Sequence, residues 1–160
     1  MAPKKFAEPA PLNDVAEFHD TFNLPVLPVP EIPGKDRCAL RINLLQEELD
    51  ELKEAIEEKD LIEVADALCD LQYVLSGAIL EFGLGDKFKA LFEEVQRSNM
   101  SKVCEDYATA NETLAYYQKK DGTEGFIKET DAGFLVYRAK DKKVLKSVKY
   151  SPADLKSMLK

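Results

Sequence analysis

LRINLLQEELDELKEAIEEKDLIEVADALCDLQYVLSGAILEFG, residues 40–83, decides the fold. Apolar residues recur every three or four positions through it, the period of a helix with one face turned to a core. It is read as two consecutive long helices, about 36–59 and 60–82. On the first, Leu45, Leu49, Leu52 and Ile56 share a face that is expected to be buried. Glu48 falls inside the apolar arc, between Leu44 and Ala55 on one side and Leu52 on the other, and Glu51 lies at its edge. Glu47, Glu54 and Glu58 point the other way and read as solvated.

The second helix is more unusual. From Leu61 to Asp86 there is no Lys, Arg or His, and apolar residues cover most of the girth, so a buried helix is expected. Glu63, Asp66 and Asp70 form one stripe, continued by Gly77 and flanked by Ile62 and Tyr73 on one side and Ala67 and Val74 on the other. A buried carboxylate without a partner costs several kcal/mol. Asp66 and Asp70, four apart, also repel each other. Something positive must face the stripe: Arg41, two turns before Glu48; a basic group from later in the chain; or a divalent cation. One arginine cannot balance four or five carboxylates. Oxygen ligands without His or Cys suit Mg²⁺, Mn²⁺ or Ca²⁺ and not zinc. An acidic helix pair is usually only a solvated face, but here apolar flanks and the absence of local bases argue for ligands.

Working outward, residues 1–11 read as a loose arm. A short helix follows, capped by Asn13 or Asp14 and ending at Phe22. LPVLPVPEIPG, residues 24–34, is an extended linker with polyproline character. After the two long helices GLGD breaks the chain, Asp86 is the expected cap of a third helix to about Lys102, and 105–118 reads as a further short helix. EGFIKET, GFLVYRAK and KVLKSVKY alternate like strands of a small antiparallel sheet. The expected organisation is a flexible arm (1–11), a helical catalytic domain (12–118) and a β-rich extension (119–160).

Composition sets the outer bounds. The 160 residues suit one domain with a small appendage, and 45% hydrophobic residues suffice for a core. Residues 47–70 hold eleven acids and two bases, whereas the chain after Ser101 holds twelve bases and nine acids. An acidic middle with a basic tail argues against nucleic acid as a partner and suits metal in the middle with phosphate contacts near the end. No apolar run has membrane-spanning length, so no membrane partner is expected. Cys38, Cys69 and Cys104 lack CxxC spacing and, with no secretory signal in MAPKKFAEPAP, are read as reduced thiols of a cytoplasmic protein. His19 is the single histidine, and no Ser-His-Asp arrangement or GxxxxGK[ST] loop exists.

Glu47-Glu48-x-x-Glu51, followed after eleven residues by Glu63-x-x-Asp66, resembles the EExxE…ExxD signature of the all-α nucleoside triphosphate pyrophosphohydrolases. These include MazG-like proteins, dimeric dUTPases and phosphoribosyl-ATP pyrophosphohydrolase. LRINLLQEELDELKEAI, EVADALCDLQYVLSGAILEFG, RSNMSK and KVLKSVKYSPADL all look like the MazG-like branch, so the resemblance covers roughly residues 13–155. It implies a mainly α, antiparallel helical bundle assembled from two or more subunits, a dimer or a dimer of dimers. It implies Mg²⁺, with Mn²⁺ as a substitute, held by Glu48, Glu51, Glu63 and Asp66, with Glu47 in support. Asn99 and Lys102 match the family's Asn-x-x-Lys and would bind substrate phosphates, with Arg41 as a further charge partner. Glu51 or Asp70 would accept a proton from the attacking water. Phe18, His19 or Phe22 would stack on a base. The reaction implied is (d)NTP to (d)NMP and pyrophosphate, in the clearing of unwanted nucleotides. The alternatives are a dedicated dUTPase or phosphoribosyl-ATP hydrolase and, in another class, a non-catalytic helical binding protein. The β extension departs from the minimal family core.

Overall fold

A computed structural model describes residues 4–160. They form helices α1 (Pro11–Thr21), α2 (Lys35–Glu58), α3 (Leu61–Glu81), α4 (Gly85–Met100), α5 (Tyr107–Asp121) and α6 (Leu155–Met158), and strands β1 (Gly125–Thr130) and β2 (Gly133–Arg138). The chain is mainly helical, with a small antiparallel sheet near its C-terminus. It divides into two compact units, Lys5–Lys89 and Ala90–Lys160, so the division falls inside α4. No single helix among the described residues is long and apolar enough to cross a membrane.

In the first unit, α1 begins at Pro11, earlier than the Asn13 or Asp14 cap expected from sequence. Proline needs no N–H at a first helical position and its φ is already helical, so it opens the helix without a side-chain cap. Val15 and His19, four apart, are its buried residues, and α1 packs on α3. α2 ends where Lys59 turns left-handed at φ 60°. Asp60 then caps α3, its carboxylate accepting from Ile62 N–H at 2.9 Å and Glu63 N–H at 3.3 Å. That short turn lays α3 back along α2. The proline-rich segment is tied to the far end of α3: Leu27 N–H donates to Leu80 O at 3.0 Å and Glu31 N–H to Phe82 O at 3.2 Å. Both acceptors are carbonyls at the C-terminal end of α3. Gly83 (φ 65°) is required there, because a Cβ would lie 1.8 Å from Val29 O.

Within this single chain, part of the apolar faces expected to be buried lies open. Leu49 and Ile56 on α2, and Leu61, Ile62, Leu68 and Leu75 on α3, are exposed. Only Arg41 and Ala55 of α2 are buried, and the buried part of α3 is Ala67 plus the stretch after Leu75. The two helices cover each other along one seam, and α1 packs on α3.

In the second unit, Cys104, Ala110, Val136 and Leu145 form the core, with Leu114, Tyr117, Ile127 and Phe134 packed against it. Asp106 caps α5, accepting from Thr109 N–H at 2.6 Å. Back in the first unit, Asp86 is not the cap of α4: the helix already begins at Gly85 and Asp86 sits in its first turn. The expected third strand is also absent among the described residues. After Lys142 (φ 60°) the chain makes one bridge, Tyr137 with Val144, then leaves the ribbon. Tyr150 N–H closes a turn on Ser147 O at 2.9 Å instead of continuing a ladder.

Candidate metal and substrate site

The antiparallel seam of α2 and α3 sets what can meet. Glu48 reaches the core side of α2 and is half-buried. Its Oε2 is buried and accepts no hydrogen bond. Burial, then the charges of Asp70, Glu51, Glu47 and Asp66, push its carboxyl above the usual carboxylate range. The structure thus gathers Glu48, Glu51, Asp66 and Asp70 into one electrostatic neighbourhood, with Glu48 deepest. Glu51, Asp66, Asp70 and Glu63 are exposed, and Glu63 stands one turn before Asp66 on α3.

Among the described residues no three His, Cys, Asp or Glu side chains converge tightly enough to cage an ion unaided. The residues nevertheless fit a hard divalent cation. A buried carboxylate oxygen without a donor, hemmed by other carboxylates, requires either a proton or a cation. The donor set is all oxygen, and Mg²⁺ characteristically keeps waters and completes its shell with substrate phosphates instead of a full protein cage.

Beside Glu48 and Asp70 opens a cleft of about 380 Å³. Leu24, Leu40, Leu44 and Val74 give it apolar walls. Phe18 and Tyr73 also line it, edge to face with ring centroids 5.6 Å apart. Phe22 meets Phe18 at a tilt, with centroids 4.4 Å apart, but is not part of the lining. His19 is a lining residue with 2% exposure and both ring nitrogens engaged: Nδ1–H donates to Pro25 O at 2.9 Å, and Nε2 accepts from Arg41 at 3.2 Å. The partly exposed aromatic residues of the lining are therefore Phe18 and Tyr73.

Arg41 faces Glu81, a residue the sequence reading did not single out. Arg41 and Arg37 both donate to Glu81, the Arg37 Nε bond being 3.0 Å. Burial alone would push the Glu81 carboxyl up, but these hydrogen bonds and charges prevail and hold it below the usual range. Gly77 makes room for the network: a Cβ there would lie 2.6 Å from Arg41 Nη1 and 3.1 Å from His19 Nε2. The signal was present in sequence, since Glu81 continues the stripe of Glu63, Asp66, Asp70 and Gly77, opposite two arginines four residues apart.

A stripe of carboxylates along one helix and a half-buried glutamate from a second thus stand beside a cleft with aromatic residues in its lining. The profile of the family described as phosphoribosyl-ATP pyrophosphohydrolase matches residues 15–99. The chain belongs to that family. The match spans α1 to the end of α4, and so contains both the carboxylates and the cleft. The chain is also 32% identical over 98 residues to the uncharacterized protein L479 of Acanthamoeba polyphaga mimivirus, over 59% of this chain and 39% of that one. It therefore spans well under half the length of this curated relative. Membership in the phosphoribosyl-ATP pyrophosphohydrolase family supports pyrophosphohydrolase chemistry on a nucleotide.

Asn99 and Lys102 belong to the other unit, Ala90–Lys160. Asn99 lies in the last turn of α4, and Lys102 Nζ donates to its Oδ1 at 2.7 Å.

Proposed function

We propose that this protein hydrolyses nucleoside triphosphates to the monophosphate and pyrophosphate, with Mg²⁺, for which Mn²⁺ can substitute. The observation that carries the reading is the buried, unpartnered Oε2 of Glu48, set among Glu51, Asp66 and Asp70 beside the aromatic cleft. Glu48, Glu51, Glu63 and Asp66 would hold the ion. When bound, the ion neutralises triphosphate charge and acidifies water. The base would lie in the cleft that Phe18 and Tyr73 line, and the apolar walls would keep bulk water from it. An exposed carboxylate, Glu51 or Asp70, would take the proton of the attacking water. Asn99 and Lys102 would hold phosphate oxygens. The exposed apolar strips of α2 and α3 support self-association, and three free cysteines suit a reducing cytoplasm.

The test is a panel of nucleoside triphosphates with Mg²⁺ in ¹⁸O-labelled water, with products resolved by chromatography. Label in the monophosphate with intact pyrophosphate released is the expected outcome. Orthophosphate with a diphosphate product would overturn the assignment. Phosphoribosyl-ATP belongs in the same panel, because the description of the matching family favours it as a second substrate reading.

A further inference from the structure

Arg37 and Arg41 stand one turn apart on α2 and share a single carboxylate, that of Glu81. Glu81 is buried and both its oxygens are taken: Oε2 accepts from Arg37 Nε at 3.0 Å, and Oε1 accepts from Nη2 of each arginine. Two guanidinium groups against one carboxylate leave this end of the cleft with positive charge in excess. Donors are in excess as well. Arg41 Nε is buried without an acceptor, and Arg37 Nη1 has no acceptor among the described residues. Arg41 is closed off, but the Arg37 side chain is 35% exposed and lines the cleft. Glu81 grips the Arg37 fork through two bonds, so the guanidinium plane is held while Nη1 keeps both its protons for another acceptor.

Side-chain acceptors are missing at the same place. His19 Nε2 is spent on Arg41. The other oxygens in the lining belong to Glu48, Asp70 and Tyr73. Glu48 follows Arg37 by eleven residues on α2, and Asp70 and Tyr73 precede Glu81 by eleven and eight on α3, so each stands about two to three helical turns from the network. Phosphates belong with Glu48 and Asp70, where the metal would stand, and the base then points toward the arginines. A ring carbonyl and an exocyclic amine meet that end differently. The carbonyl oxygen accepts, whereas the amine only donates. Against Arg37 the carbonyl gains a charge-assisted hydrogen bond, and the amine sets N–H against N–H with no acceptor beside it.

We propose that Arg37 is a specificity-determining residue of the cleft, which selects nucleobases that carry a carbonyl in place of an exocyclic amine: uracil over cytosine, and hypoxanthine over adenine. The orientation of the ligand, phosphates at the carboxylates and base at the arginines, rests on the proposed function; the surplus of donors at Arg37 does not.

The experiment is calorimetric titration of the full chain, with Mg²⁺, by the monophosphates of uridine, cytidine, inosine and adenosine. Within each pair a carbonyl replaces an amine at one ring carbon, with the ring proton that follows. The wild-type chain binds the carbonyl member roughly tenfold more tightly in both pairs, the scale of one charge-assisted hydrogen bond. Arg37→Gln, whose carboxamide both donates and accepts, narrows each ratio to roughly twofold or less by weakening the uridine and inosine ligands alone. Arg41 still pairs with Glu81 in that variant, and a thermal melt checks its fold. If it does not fold, Arg37→Lys replaces it, keeping a cation for Glu81 without the second arm of the fork, and the same narrowing is expected. Equal affinities within either wild-type pair, ratios unchanged in the variant, a parallel loss for all four ligands, or no binding of any of them at millimolar concentration overturns the assignment. Hydrolysis of the corresponding triphosphates separates the two readings. A chain that prefers the carbonyl ligands but hydrolyses none of them keeps the role of Arg37 and removes the proposed function. One that hydrolyses them and binds both members of each pair alike keeps the function and removes the role of Arg37.

Discussion

Glu48 concentrates the chemistry of the chain. Its Oε2 is buried without a donor, and its neighbours are carboxylates, so the ionised form is penalised twice. In the absence of metal the repulsion is relieved by removing a charge. We predict that Glu48→Gln and Asp66→Asn each melt at or above the wild type without metal. Each gains less stability than wild type from added Mg²⁺, and each loses turnover by at least roughly 100-fold. Thermal melts with and without Mg²⁺, read beside the hydrolysis assay, check this. Variants that unfold would make these residues structural partners and end the metal reading.

At the scale of the element, α2 and α3 carry two polar devices on one seam. The carboxylates lie toward the Lys59–Asp60 turn, and the Arg37–Arg41–Glu81 network lies at the other end. Glu81 is buried and satisfied by two guanidinium groups, so losing its charge strands both. We predict that Glu81→Gln destabilises the protein by about 3 kcal/mol at neutral pH. The sign of the pH dependence follows from the depressed carboxyl. Its stabilisation is fully present above the ordinary value of 4.5 and is lost as pH falls through the lower folded value. The gap between wild type and Glu81→Gln therefore closes on acidification below about pH 4.5. Denaturant titrations from neutral to acid pH measure it; a gap independent of pH would mean that the carboxylate charge is not what holds the arginines.

For the whole molecule, the exposed apolar residues of the first unit set the question. Ile42, Ile56, Leu61 and Ile62 are 65%, 58%, 79% and 78% exposed, on the two helices that carry the carboxylates. Apolar strips of this extent on adjacent helices are interface material. We predict that sedimentation at micromolar concentration gives at least twice the 18.0 kDa chain mass. Asp substitutions at Ile56 and Leu61 together shift the protein toward monomer. A wild-type monomer would leave these strips without a function.

Helix period, turn signals and the acidic spacing were local properties, and sequence alone carried them: α2, α3, their break at Lys59–Asp60, and the candidates Glu48, Glu51, Glu63, Asp66 and Asp70. Each depends on residues within a few turns of one another, where side-chain direction follows from spacing. Partners across elements did not follow. That Arg41 turns to Glu81 and His19, that Phe18 meets Tyr73, and that Tyr150 returns to Ser98 are pairings over long loops. How much of each apolar face this chain itself buries did not follow either. Periodicity states which face of α2 and α3 is apolar, but not whether this chain has anything to cover it. That depends on the number and placement of the other elements, which tertiary structure alone decides.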